Sequence, residues 1–294
     1  MSPFGNSIVS GYQLATNRGD IYSFGITEFY GTIMDHFADF NSEIVSTVLT
    51  PNGQYLVTPD GCYFLMGPVC EKGKIDIGNE VITDCTYFLN QLVLISSSGK
   101  LFDENGLFEI QLNLDQSKTF EFVSFCVDNL AENIFALTKN GKVFSTKPTL
   151  LLGDFETIDV EGVEAVSICS HPHRKGYWII DSIGGVFCFG AVDYFGSVPG
   201  DGYRCDAKKI QSTPSGSGYS IIDKNGMVLP YGDAIHHGAP VKKDVTGEIV
   251  SFDVWTAPNH SNHDVLFEKL VQNDINQLLG IEVEYIPEPE VGLQ

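Results

Sequence analysis

The chain has 294 residues, 43% of them hydrophobic and only 19% charged, so it can bury a sizeable core and is not a disordered polymer. Its 17 basic and 38 acidic residues leave a formal charge of −21. That field repels phosphate backbones and argues against nucleic acid, while it suits a basic protein partner or cations.

Taken in chain order, the first residues, MSPFGNSIVSGYQ, lack the basic start and apolar run of a secretory signal, and no segment has the length of a membrane span. The first element is a hairpin, YQLATNRGDIYSFG. Five similar units follow: QYLVTPDGCYFLMG, QLVLISSSGKLF, IFALTKNGKVF, YWIIDSIGGVFCFG and YSIIDKNGMVLPYG. Each is an apolar strand, a polar turn ending in glycine, and a second strand with an aromatic. The turn glycines are Gly19, Gly61, Gly99, Gly141, Gly184 and Gly226, at spacings of 42, 38, 42, 43 and 42 residues. One such hairpin cannot bury its own face, but neighbouring repeats can cover one another.

A second series of strands begins near residues 44, 81, 122, 165, 208 and 248. The first five precede a hairpin. The last, Ile249–Thr256, has none after it, and the first hairpin has no such strand before it. A ring accounts for both: the strand at 249–256 completes the unit whose hairpin is residues 11–25. The expected fold is therefore all-β, a six-bladed β-propeller over residues 1–260, closed by its two terminal segments. Seven blades is the alternative, with residues 262–286 forming an irregular one. After the hairpins, FGITEFYGTI, FGAVDYFGSV and YGDAIHHGAP repeat an aromatic–Gly step and an aromatic pair, expected to pack between neighbouring blades.

Residues 261–294 form the second expected domain, a short helix and an acidic extended tail. Phe267, Leu270, Val271, Ile275 and Leu278 share one helical side and are the candidate partner-docking residues, reaching either the chain's own propeller, another protein or another copy. IEVEYI alternates apolar and acidic residues, and PEPEVGLQ is interrupted by prolines.

The segment GYWIIDSIGGVFCFGAVDYFGSVPG resembles the repeat GYWLVASDGGVFAFGDAxFYGS, which occurs in tandem in bacterial secreted proteins and is read as a propeller repeat. LTKNGKVFS and ISSSGKLF are more similar to the regulator-of-chromosome-condensation class of repeats. These resemblances span roughly residues 5–256 and imply architecture alone, since such repeats serve many proteins as binding and spacing modules.

Residues able to carry chemistry are few. His171 and His173 share a loop, His236 and His237 stand where other repeats have an aromatic pair, and His260 and His263 lie beside Asp264; none has a full ligand set at metal spacing. Arg18-Gly19-Asp20 occupies a hairpin turn, and Asn259 heads a glycosylation sequon that matters only in a secreted chain. Asp60, Asp181 and Asp223 sit at turn ends, either to bond the turn backbone or to meet as paired carboxylates in a central channel. Trp178 and Trp255 could stack on a sugar, yet both lie in strand patterns. Seven cysteines without a C-x-x-C pair read as reduced core residues, consistent with a cytoplasmic chain or one assembled into a particle such as a virion. No catalytic residue, metal or cofactor is expected. The expected function is a non-enzymatic structural or interaction propeller, a subunit of a larger assembly, with a carbohydrate-binding propeller and a channel-type hydrolase as alternatives.

Overall fold

The computed structural model describes residues 9–114, 118–240 and 245–256. The docking helix expected at 267–278 and the tail lie outside the described residues, as do His260, His263 and Asp264. The described residues group into one compact unit.

Strands β1 (Val9–Thr16) and β2 (Ile21–Gly25) form the first hairpin. The strands β3 (Ser46–Thr50), β4 (Gly53–Val57), β5 (Cys62–Met66) and β6 (Glu71–Lys74) make one sheet in that order. So do β7 (Ile82–Phe88), β8 (Gln91–Ser96), β9 (Leu101–Asp103) and β10 (Gly106–Leu107). Three-stranded sheets follow: β11 (Phe122–Asp128), β12 (Asn133–Thr138) and β13 (Val143–Ser145); β14 (Ala165–Ser170), β15 (Gly176–Asp181) and β16 (Val186–Gly190); β17 (Ala207–Ser212), β18 (Gly218–Asp223) and β19 (Val228–Gly232). The last strand, β20 (Ile249–Thr256), pairs antiparallel with β1, with Tyr12 opposite Val254 and Leu14 opposite Phe252. Among the described residues the strands thus form six antiparallel sheets.

The hairpin turns form because their glycines take φ between 81° and 87° in all six units, a left-handed conformation that side-chain-bearing residues resist. The flanking strands are buried on both faces: every residue of β15 and of β18 is buried. Sheets meet face to face through apolar clusters, such as the one joining Trp178 and Ile180 to Ile210, Tyr219 and Ile221.

Each turn also stitches three strands together. The carbonyls of Asn17, Pro59, Ser97, Lys139, Ser182 and Lys224 accept the backbone N–H of Ile44, Ile82, Phe122, Ala165, Ala207 and Ile249, at 2.8 to 3.1 Å. Each accepting turn belongs to one sheet; five of the donors open the first strand of the next, and Ile44 lies two residues ahead of β3. The last donor, Ile249, stands in β20, which shares its sheet with β1. The first strands β3, β7, β11, β14, β17 and β20 also touch in succession, and β20 touches β3.

The recurring aromatic–Gly step has a distinct geometry. Tyr219 donates its hydroxyl to the Gly196 carbonyl at 2.6 Å and accepts the Phe195 N–H at 3.2 Å. Tyr177 bonds Gly153 and Leu152 in the same way, and Tyr12 bonds Gly238 and His237. Each tyrosine rivets the connection leaving the preceding sheet. The three glycines share φ of 131° to 136°, and a side chain on Gly196 would meet the Tyr231 ring at 2.6 Å.

Candidate functional site

The six first strands line one cavity of about 290 Å³, with Thr47, Cys85, Phe125, Ile168, Lys209 and Phe252 contributed one from each. The third residue of each repeat unit behind this cavity is polar: Ser46, Asp84, Ser124, Ser167, Lys209 and Ser251. In β7, β11, β14 and β17 a register shift falls just before it, a bulge that turns the residue toward the neighbouring strand. Asp84, Ser124 and Ser167 each accept the backbone N–H of the next strand, from Phe125, Ile168 and Ile210 at 3.3 to 3.4 Å.

Lys209 cannot accept such a bond. It reaches instead to Asp84, with Nζ 3.3 Å from Oδ1 and 3.2 Å from Oδ2. In the succession of first strands, β7 and β17 stand three steps apart, so the ion pair spans the cavity. The Asp84 side chain is 4% exposed and that of Lys209 20%. Asp84 also accepts from the Ser46 hydroxyl and the Cys85 N–H, so both of its oxygens are satisfied. Burial works to lower the Lys209 pKa, but the charge and hydrogen bond of Asp84, with Asp253 behind it, leave it raised. Asp253 shows the opposite balance: burial pushes its carboxyl up against the donors Thr47 and Gln54. The Cys85, Cys126 and Cys169 thiols are pushed up by burial, so none is primed as a thiolate. A protonated, engaged lysine and a satisfied carboxylate form a polar plug rather than an acid–base pair.

The residues singled out in the sequence lie elsewhere. Asp181 Oδ1 accepts the N–H groups of Ile183 and Gly185, and Asp223 Oδ1 those of Asn225 and Met227, so both hold their turns. Asp60 pairs with Lys74 at 2.7 Å on the surface; that lysine first, then Thr58, holds its carboxyl well below the usual range. None of the three faces the cavity. Arg18-Gly19-Asp20 is a turn, as expected. His171 is buried, stacked on Trp178 at 5.4 Å, and its Nδ1 accepts two backbone N–H groups. His237 packs edge-on to Tyr12 at 5.5 Å, in the role of the missing aromatic. Trp178 is fully buried, with its indole N–H on the Asp193 carbonyl. The cysteine reading needs correction: all seven are free, but only Cys85 and Cys169 are buried, Cys62, Cys70, Cys126 and Cys205 are half-buried, and Cys188 is exposed, because β16 is an outer strand whose alternate residues face solvent. Among the described residues, no group of three or more His, Cys, Asp or Glu side chains is arranged to hold a metal, and no helix is long and apolar enough to cross a membrane.

Lys209, Asp84 and Asp253 were not singled out by sequence reasoning. The signal was available: aligning IVS, ITD, FVS, AVS, AKK and IVS at the start of the six first strands leaves two departures from serine, of opposite charge and three repeats apart.

No family model matches the chain, and no curated protein matches it. Solved structures do. A chain of the nidogen/laminin complex superposes with a TM-score of 0.56 at 10% identity, covering 83% of this chain and 97% of that one. A chain of the mitotic checkpoint complex gives 0.50 at 8% identity, covering 77% and 72%. Both are propeller folds. The chain has a β-propeller fold.

Proposed function

We propose that this protein is a non-enzymatic interaction propeller, a closed ring of six blades that serves as a subunit of a larger assembly. The observation that carries this reading is the Lys209–Asp84 pair: the space where a channel enzyme would keep free acids and bases holds charges already engaged with one another. Function then belongs to the loops and outer surfaces. The six turn-to-strand hydrogen bonds and the β1–β20 ladder support the six-bladed, closed form. The Tyr–Gly rivets support repeats of the GYWLVASDGGVFAFG kind for the units around Tyr12, Tyr177 and Tyr219. The two fold neighbours come from complexes with protein partners, in keeping with an interaction role. A sugar-stacking role for Trp178 has no support, since that ring is buried.

The native mass of the purified full chain, with crosslinking and identification of whatever co-purifies, tests the reading. A defined oligomer or a stoichiometric protein partner is expected; in a virion, copies would sit in the particle. A monomer that turns over a substrate, or that binds a glycan and no protein, overturns it.

A further inference from the structure

The sheet β3–β6 ends in β6, which is bonded to β5 alone. Among the described sheets its four residues make the longest fourth strand; the others have the two-residue β10 or none. Antiparallel register sets Leu65 opposite Glu71, Phe64 opposite Lys72, Tyr63 opposite Gly73 and Cys62 opposite Lys74. The next residue, Ile75, donates its N–H inward to the Gly61 carbonyl at 3.0 Å. Bonded and unbonded pairs alternate in such a ladder, so Glu71 and Gly73 turn their main-chain groups toward β5. Lys72 and Lys74 turn theirs outward, and among the described residues no backbone group bonds them. Glu71, Lys72 and Lys74 are exposed along this edge.

Residues directly opposite share a face, so both lysines stand on the side of Phe64. That face lines a groove of about 800 Å³, shared with residues 36–42. Phe64 meets Phe37 edge to face at 5.0 Å and Phe40 at 5.4 Å, so three rings wall the groove. Lys74 pairs with Asp60 at 2.7 Å. Lys72 lies 6.0 Å from the Phe37 ring centre, and its ammonium has no hydrogen bond or ion pair among the described residues.

We propose that β6 takes an extended segment of a partner protein as a fifth strand, one that sets a carboxylate opposite Lys72. The outward N–H and C=O groups of both lysines supply the main-chain hydrogen bonds, and opposite charges across the strands set the register. An apolar side chain two residues from that carboxylate falls on the same face, over the groove of Phe37, Phe40 and Phe64. A second copy of the chain is the wrong occupant for this edge. Antiparallel pairing of β6 with β6 through its outward groups sets lysine against lysine, because both outward residues are lysines. The overall charge of −21 repels strongly acidic chains, which limits the segment to a few carboxylates. At physiological salt that repulsion fades over about 8 Å, whereas the lysines act in contact. The inference rests on the interaction reading above and gives that reading a surface and a partner chemistry.

Short random peptides displayed in a library are selected on the full-length chain, and the strongest recovered peptide is synthesised and titrated. The expected result is a peptide with Asp or Glu and an apolar residue two positions away, whose affinity falls about tenfold with Lys72→Gln. Methylating alternate amide nitrogens of that peptide abolishes binding in one phase and spares it in the other, since only one edge of a strand faces β6. Lys142→Gln, in another sheet, leaves affinity unchanged, and equal melting temperatures show that both variants are folded. Hydrogen exchange finds the Lys72 and Lys74 amides unprotected in the free chain and protected in the complex. Recovered peptides without acidic residues, affinity indifferent to Lys72→Gln, or equal effects of methylation in both phases overturn the proposal. So does protection of those two amides in the chain alone, which would mark the edge as already occupied. Should the native mass still show a protein assembly in any of these cases, the interaction reading stands and only the β6 site falls.

Discussion

Lys209 replaces a serine of the repeat, and that one exchange sets the chemistry of the cavity. Breaking a buried pair by removing one partner leaves an uncompensated charge, so Lys209→Met is expected to lower the unfolding free energy by about 3–5 kcal/mol. Adding Asp84→Asn to that variant should restore part of the loss, because a neutral carbonyl oxygen still accepts the Phe125 N–H. Urea denaturation of both variants checks this, and a double variant no better than Lys209→Met would show that the charge is not the cause. His237 gives a pH signature. Burial first, then His236, holds its pKa below the usual 6.5, and its Nε2 is buried without a partner. As pH falls through about 6.5 the unfolded chain takes up a proton that the folded chain refuses, so stability drops on the acid side. His237→Phe restores the aromatic of the other repeats and should flatten that slope between about pH 7 and pH 5, read as the shift in urea midpoint. His171 acts in the same direction, and Asp253, with its pKa raised, in the opposite one.

At the scale of elements, β20 does more than add a strand. It pairs with β1, supplies Phe252 to a cluster with Tyr12 and Leu14, and sends Asp253 to Thr47 and Gln54 of the next sheet. Phe252 is 2% exposed, so Phe252→Ala should cost about 3–5 kcal/mol in a denaturation experiment. Phe29→Ala, at a side chain 54% exposed, should change stability by less than about 0.5 kcal/mol. Comparable costs at the two sites would remove β20 from its place in the core. The strand was legible in advance because EIVSFDVW repeats the pattern of the other five first strands. Its partner was inferred from a missing hairpin, not from any residue of β1.

At the scale of the whole molecule, the closed ring proposed above has no end from which to fray, whereas a linear array of repeats opens unit by unit. Hydrogen exchange should therefore find the first strands of all six sheets protected to a similar degree, with one cooperative loss in denaturant. Markedly faster exchange in β1, β2 and β20 than in the other sheets would argue for an open chain.

Local chemistry was written in the sequence by itself. Glycines at near-constant spacing demanded six tight turns, and the β-branched and aromatic residues around them demanded buried strands, because each requirement is met within a few neighbouring residues. The turn roles of Asp181 and Asp223 and the packing role of His237 were readable for the same reason. Only the tertiary structure decided which residues face one another across the cavity. Lys209 and Asp84 lie 125 positions apart. They meet because six first strands converge on one cavity, and no spacing along the chain encodes which of those strands will carry a charge's partner.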